Sequence, residues 1–217
     1  MSNSSKPSSE EHGFSVIFQN RNFALLWTSQ VFGQSAQNAI FFVQMVMVEG
    51  LTRSSGLVGL MVLVYNLPSI LFGLLSGIVI DRFRKKSILL LCNISRIFVV
   101  AAFIFFHRYT RGGGLLTAVY VLTFILSTIG QLSDPAEAAM VPLLVSPQHL
   151  LTANSAFHLL FNVSQVLGLM FLAPLSLKLG GVDGAFATIS LSYLVTSVLI
   201  WPISVREPPP KNSTTQD

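Results

Sequence analysis

Long uncharged apolar runs, separated by short charged or glycine-rich pieces, organise this sequence. No charge falls between Arg21 and Glu49, and none between Arg53 and Asp81. A helix needs roughly 20 mainly apolar residues to cross the hydrocarbon core, so each run is long enough for one crossing. A third predicted span covers about 87–106 and contains Arg96, and a fourth lies between Arg111 and Asp134. The uncharged stretch 138–177 exceeds one crossing. Its first part carries Pro142, the run Ser146-Pro147-Gln148-His149 and Asn154, all turn or cap residues. That part reads as an interfacial segment ahead of a fifth span at 156–177. Gly180-Gly181-Val182-Asp183-Gly184 predicts a tight turn, and a sixth span follows at about 185–205. The pattern predicts an all-α membrane protein, a six-transmembrane-helix bundle over residues 21–205.

Composition agrees. The chain of 217 residues is 52% hydrophobic and 10% charged, where a soluble domain carries about 25% charged residues. Residues 1–20 are polar and low in complexity at their start, and are expected to form a flexible tail. They have no short apolar core behind a basic start and no small-residue cleavage site, so they do not read as a signal peptide. The last stretch, 206–217, reads R-E-P-P-P-K-N-S-T-T-Q-D and is linker-like. The net charge of +4 is scattered, and no Lys/Arg stripe interleaved with aromatics supports nucleic-acid binding. The single cysteine, Cys92, sits in an apolar run and reads as a small buried residue.

An even number of spans puts both termini on one side. That side would hold Lys6, Arg21, Arg82, Arg84, Lys85, Lys86, Arg206 and Lys211, and the other Arg53, Arg108, Arg111 and Lys178. Cytoplasmic loops carry the excess of cations, so both termini are expected in the cytoplasm and the protein in the cell's inner membrane.

Polar groups inside the spans are the candidates for function. Gln30, Gln34, Gln37, Asn38 and Gln44 fall within about a third of the circumference of span one at ~100° per residue. Amides are costly in hydrocarbon without partners, so this stripe is either a cavity wall or interhelical glue. Gln131 adds to it from span four, and Asn162 and Gln165 from span five, whose polar side also carries Asn154 and His158. His158 is a candidate for a charge relay. So is Arg96, the cation inside a span, which is expected to reach the surface by its own length or to pair with Asp134 or Glu137 at the end of span four. The spans are expected to hold no buried carboxylate. No catalytic motif, metal spacing or cofactor pattern stands out, so an enzyme is not expected.

Residues 73–86 read G-L-L-S-G-I-V-I-D-R-F-R-K-K. Gly73 and Gly77 share a helix face on which another helix can approach closely, and an acid and a cluster of bases follow. This order resembles the loop between the second and third helices of the major facilitator superfamily of transporters. The family pattern G-x-x-x-D-R-x-G-R-R is met by Gly77, Asp81, Arg82, Lys85 and Lys86, with Arg84 in place of the family glycine. Weaker likenesses agree in order. Asn22-Phe23-Ala24-Leu25-Leu26-Trp27 resembles the approach to helix one, and Leu51-Thr52-Arg53-Ser54-Ser55-Gly56 the first outer loop. Asn66-Leu67-Pro68 lies within helix two. Pro142-Leu143-Leu144-Val145 and Leu150-Leu151-Thr152-Ala153-Asn154-Ser155 resemble the start of helix five in drug and siderophore exporters.

The resemblance implies one half of a major-facilitator fold. It implies efflux of an amphipathic small molecule by alternating access, with the cavity between two halves near the midplane of the bilayer. The partner would be a second transporter half or a second copy. Gly73, Gly77, Asp81, Arg82, Lys85 and Lys86 would form a gating loop. Gln34 stands where exporters of this branch often carry an acid. The competing readings are a non-transporting membrane scaffold and a truncated transporter fragment.

Overall fold

The computed structural model describes residues 16–205; the polar stretch 1–15 and the linker-like tail 206–217 lie outside the described residues. A short helical turn at 16–19 leads into α1, Arg21–Thr52. Asn20 caps α1, its side-chain oxygen accepting from the backbone N–H of Asn22 and Phe23 at 3.0 and 3.4 Å, which satisfies two donors that a helix start leaves open. The helix stops where Arg53 turns left-handed (φ 48°) and donates its N–H to the Glu49 carbonyl at 2.8 Å. Helices α2, Ser55–Arg82, and α3, Lys85–Tyr109, follow.

Helix α4 is Gly112–Leu144 and runs through Pro135 and Pro142. A 3₁₀ turn, Pro147–His149, leads to α5, Leu150–Val166, which widens into a π segment, Leu167–Leu172, and continues into α6, Ala173–Ile200. The apolar stretch Pro147–Ile200 has 54 residues, about 80 Å as a straight helix against a hydrocarbon core of about 30 Å. It is broken at Gly181, whose φ of 60° and ψ of −157° no helix contains. The chain reverses there. A Cβ at Gly184 would lie 3.6 Å from the Ser176 carbonyl oxygen, two residues that a straight helix would hold about 12 Å apart. The result is an all-α bundle with six crossings.

Two expectations are corrected. The helix of the fourth crossing does not end at Asp134, and the stretch after Ala138 is not a separate segment. Helix α4 continues to Leu144, where Ser146-Pro147 stops it. The acids Asp134 and Glu137 do not mark the membrane edge, because Arg96 lies beside them inside the bundle. The fifth crossing begins at Leu150 rather than Ala156.

The helices alternate in direction. α1 meets the second limb of α6 antiparallel: Gly33 lies against Thr196, whose Oγ1 donates to the Ser29 carbonyl, and Asn22 Nδ2 donates to the Ser204 carbonyl at 3.0 Å. α3 also meets that limb antiparallel, with Lys86 Nζ donating to the Trp201 carbonyl at one end and His107 meeting Asp183 at the other. Tyr120 and Ser127 of α4 donate their hydroxyls to the Leu57 and Tyr65 carbonyls of α2. Phe23 packs edge to face on Phe157, and Trp27 Nε1 donates to the Ala156 carbonyl, joining α1 to α5. Asn20 Nδ2 donates to the Leu144 carbonyl at 2.7 Å. Both ends of the described chain and the loop 83–84 therefore share one end of the bundle.

Two apolar clusters fill the interior. Leu26, Leu89, Met140 and Ile200 belong to the cluster near the end that holds the termini, and Val43, Phe103, Val119 and Phe186 to the other. Between them lies a buried polar layer that includes Gln30, Gln34, Asn93, Arg96, Ser127 and Thr196. The outer surface, with Leu63, Ile70, Phe98 and Leu179 exposed, suits contact with lipid tails.

Candidate functional site

The polar layer is built around Arg96, which is 4% exposed. Its Nη2 stands 3.9 Å from Asp134 Oδ1 and has no hydrogen-bond partner among the described residues. Its guanidinium carbon lies 5.5 Å from the centre of the Tyr193 ring. Glu137, one turn beyond Asp134 on the same face of α4, is 7% exposed. That corrects the expectation of no buried carboxylate. Asp134 and Arg96 are the charged groups near this carboxylate, and Gln34 of α1 borders the same space.

α4 and α5 touch each other little, and the space between them and α1 is a pocket of about 420 Å³. Gln34, Asp134 and Glu137 line it with Asn154, Phe157, His158 and Phe161 of α5. A second cleft, about 710 Å³, lies at the end that holds the termini, among Arg84, Lys86, Ser87, Trp201 and Ser204.

Of the predicted site residues, this pocket brings together Gln34 and His158. Gln37 donates Nε2 to the Tyr65 hydroxyl at 3.4 Å, and its Oε1 is buried without a partner among the described residues. Asn38 donates to the Gln34 carbonyl of its own helix, and its Cβ packs against Gly168. Asn162 donates to the His158 carbonyl and is exposed, as is Gln165; Gln131 is half-buried. Phe157 and Phe161 escaped the sequence reading, and Asp134 and Glu137, read there as possible partners of Arg96, were not expected to line a cavity. The signal was the Asp-x-x-Glu spacing, which sets both acids one turn apart on one face of α4.

In the predicted gating loop, a Cβ at Gly73 or Gly77 would meet nothing within 4 Å. Asp81 and Arg82 are exposed, while Lys85 and Lys86 are half-buried at the start of α3. At the far end of the bundle, His107 Nδ1 donates to Asp183 Oδ1 at 2.8 Å, and Arg108 Nε to Oδ2 at 2.9 Å. Partial burial pushes the Asp183 carboxyl up, but the hydrogen bonds from His107 and Arg108 and the electrostatic attraction of those side chains outweigh it and hold the group below its ordinary value.

Residues 25–217 match the family model of the Major Facilitator Superfamily. The chain belongs to that superfamily. It is a multi-pass membrane protein of a transporter family and not an enzyme. It is similar to the uncharacterized MFS-type transporter YkuC of Bacillus subtilis (strain 168), at 27% identity over 187 residues. The aligned region is 85% of this chain and 42% of YkuC, so the chain spans less than half the length of that relative. No solved structure matches it.

Proposed function

We propose that the chain is one half of a transporter that exports an amphipathic small molecule by alternating access, working with a second six-helix half or a second copy of itself. The observation that carries this reading is the pocket at the level of the polar layer. Two carboxylates of α4, an amide of α1 and a histidine and two phenylalanines of α5 converge on it, a mixture of apolar walls and few polar groups that suits a small-molecule site. Gln37 and Asn38 support this wall from behind, and Gln131, Asn162 and Gln165 are residues that a second half would help enclose. Arg96 and His158, near the two acids, are the groups through which charge would move as the site changes access.

The second half is supported by α2, where a Cβ at Gly73 or Gly77 would meet nothing within 4 Å among the described residues. In this reading Asp81, Arg82, Lys85 and Lys86 latch that side against the partner. The bundle end with Arg21, Arg82, Arg84, Lys85 and Lys86 faces the cytoplasm, with both termini there and the protein in the inner membrane. The test is loss of a fluorescent amphipathic dye from cells expressing the chain, set against Gln34→Leu. Faster loss with the unaltered chain and an altered dye range with Gln34→Leu are expected. Equal loss from both and from empty cells refutes the reading. Native mass spectrometry of the membranes should find the 23.7 kDa chain with a second six-helix partner; a lone monomer counts against it.

A further inference from the structure

We propose that the pocket between α1, α4 and α5 takes an organic cation with a bulky apolar body, recognised by Glu137 and Asp134. The inference rests on the transporter reading for its purpose, but it concerns binding and stands or falls separately.

The argument is one of charge balance. Asp134 and Glu137 project into the pocket from α4. The cation packed near them is Arg96 of α3, and it does not line the cavity. It lies toward the Tyr193 ring of α6 and stops 3.9 Å short of Asp134, outside hydrogen-bonding distance. α1 brings the neutral amide of Gln34, and α5 brings Asn154 and His158. No lysine or arginine lines the cavity, so two carboxylates face one guanidinium set behind them. A buried carboxylate without a paired charge is costly, and Glu137 is 7% exposed and makes no ion pair among the described residues. A ligand cation would relieve that cost, a neutral ligand would leave it, and an anion would add to it.

The walls set the rest of the ligand. Phe157 and Phe161 line it with aromatic rings, a group that can attract cations, and Val141 and Leu160 add aliphatic surface. A volume of about 420 Å³ lies in the range of drug-sized sites. A bare metal ion fits poorly, since no group of three or more metal-ligating side chains exists among the described residues.

The test uses two probes of nearly equal size and shape and opposite charge. The 217-residue chain in lipid nanodiscs is dialysed against labelled tetraphenylphosphonium or tetraphenylborate, with empty nanodiscs subtracted. The phosphonium should bind at least tenfold more tightly than the borate. Glu137→Gln should weaken phosphonium binding about tenfold or more, Asp134→Asn by less, and neither should weaken borate binding. The charge preference of the unaltered chain needs no variant, and Asp134, whose side chain is 51% exposed, is a substitution the fold should tolerate. Borate binding that equals or exceeds phosphonium binding overturns the proposal, as does full phosphonium affinity in both variants, the result expected if Glu137 is held neutral by a proton. Phosphonium binding without any movement across vesicles leaves this inference standing and refutes transport instead.

Discussion

Gly168→Ala tests a close helix approach in the bundle. Gly168 opens onto α1 from the π segment. A Cβ there would lie 2.5 Å from the Ser35 carbonyl oxygen, 2.7 Å from Asn38 Cβ and 3.2 Å from the Ala39 nitrogen. Comfortable contacts begin at about 3.5 Å, so the helices would have to part by roughly 1 Å. The obstructing atoms are mainly backbone of a 32-residue helix, which cannot swing aside as a side-chain tip would. Overpacking of this kind costs about 1–3 kcal/mol, and alanine's better helix propensity returns about 0.5–1 kcal/mol. The difference spans about 0–2.5 kcal/mol, and a 2.5 Å contact with backbone oxygen puts it in the upper part, about 1–2.5 kcal/mol, a fall in Tm of roughly 2–10 °C for a chain of this size. The assay is thermal unfolding in detergent followed by far-UV circular dichroism. Gly59→Ala is the control, because a Cβ there meets nothing within 4 Å, and it should hold or raise Tm. A Gly168→Ala protein as stable as its parent would refute the close crossing of α5 on α1.

Three further outcomes are expected. Asp81→Asn should lower transport while leaving membrane insertion and yield unchanged; undiminished transport rules out a latch at that loop. Arg96→Leu strands Asp134 and Glu137 beside an apolar side chain. It should destabilise by up to about 3–5 kcal/mol, less in so far as the Asp134 side chain is 51% exposed, and adding Asp134→Asn should recover part of the loss of folded protein on size-exclusion chromatography; no recovery refutes the pairing. Asp183 titrates below its ordinary value of 3.8 when folded, so its contribution is present above that value and is lost as pH falls through the folded value. Acid unfolding below about pH 4 should therefore be steeper in the parent than in Asp183→Asn, and identical profiles would dismiss the His107–Asp183–Arg108 cluster as a stabilising contact.

The crossings were legible because hydrocarbon imposes a simple demand on composition, and the charge-free runs after Arg21 and Arg53 become α1 and α2 almost end to end. The reversal at Gly181 was legible too, since a run of glycines can take a φ of 60° that other residues resist. The course of α4 was not. Asp134 was taken for the end of the crossing because charges usually sit there; its nearness to Arg96 was expected, but not that the helix runs on to Leu144 beyond it. Pro142 also read as a turn, yet it sits in the last turns of a helix that the Ser146-Pro147 pair ends. The amide stripe of α1 was visible as a stripe, but its members part company: Gln34 faces the pocket, Gln37 bonds Tyr65, and Asn38 supports the crossing with Gly168. A helical wheel assigns a direction to a side chain and leaves open which neighbour fills it.

The hydrogen bonds between Asn22 and Ser204 have a consequence for ancestry. Because the bundle returns to the face from which it set out, a duplicated copy joined behind it enters the bilayer in the same sense as the original. Two such copies need only a sideways link along one membrane surface, with no extra crossing to be gained or lost, so tandem duplication is an easy route from one bundle to a two-bundle chain.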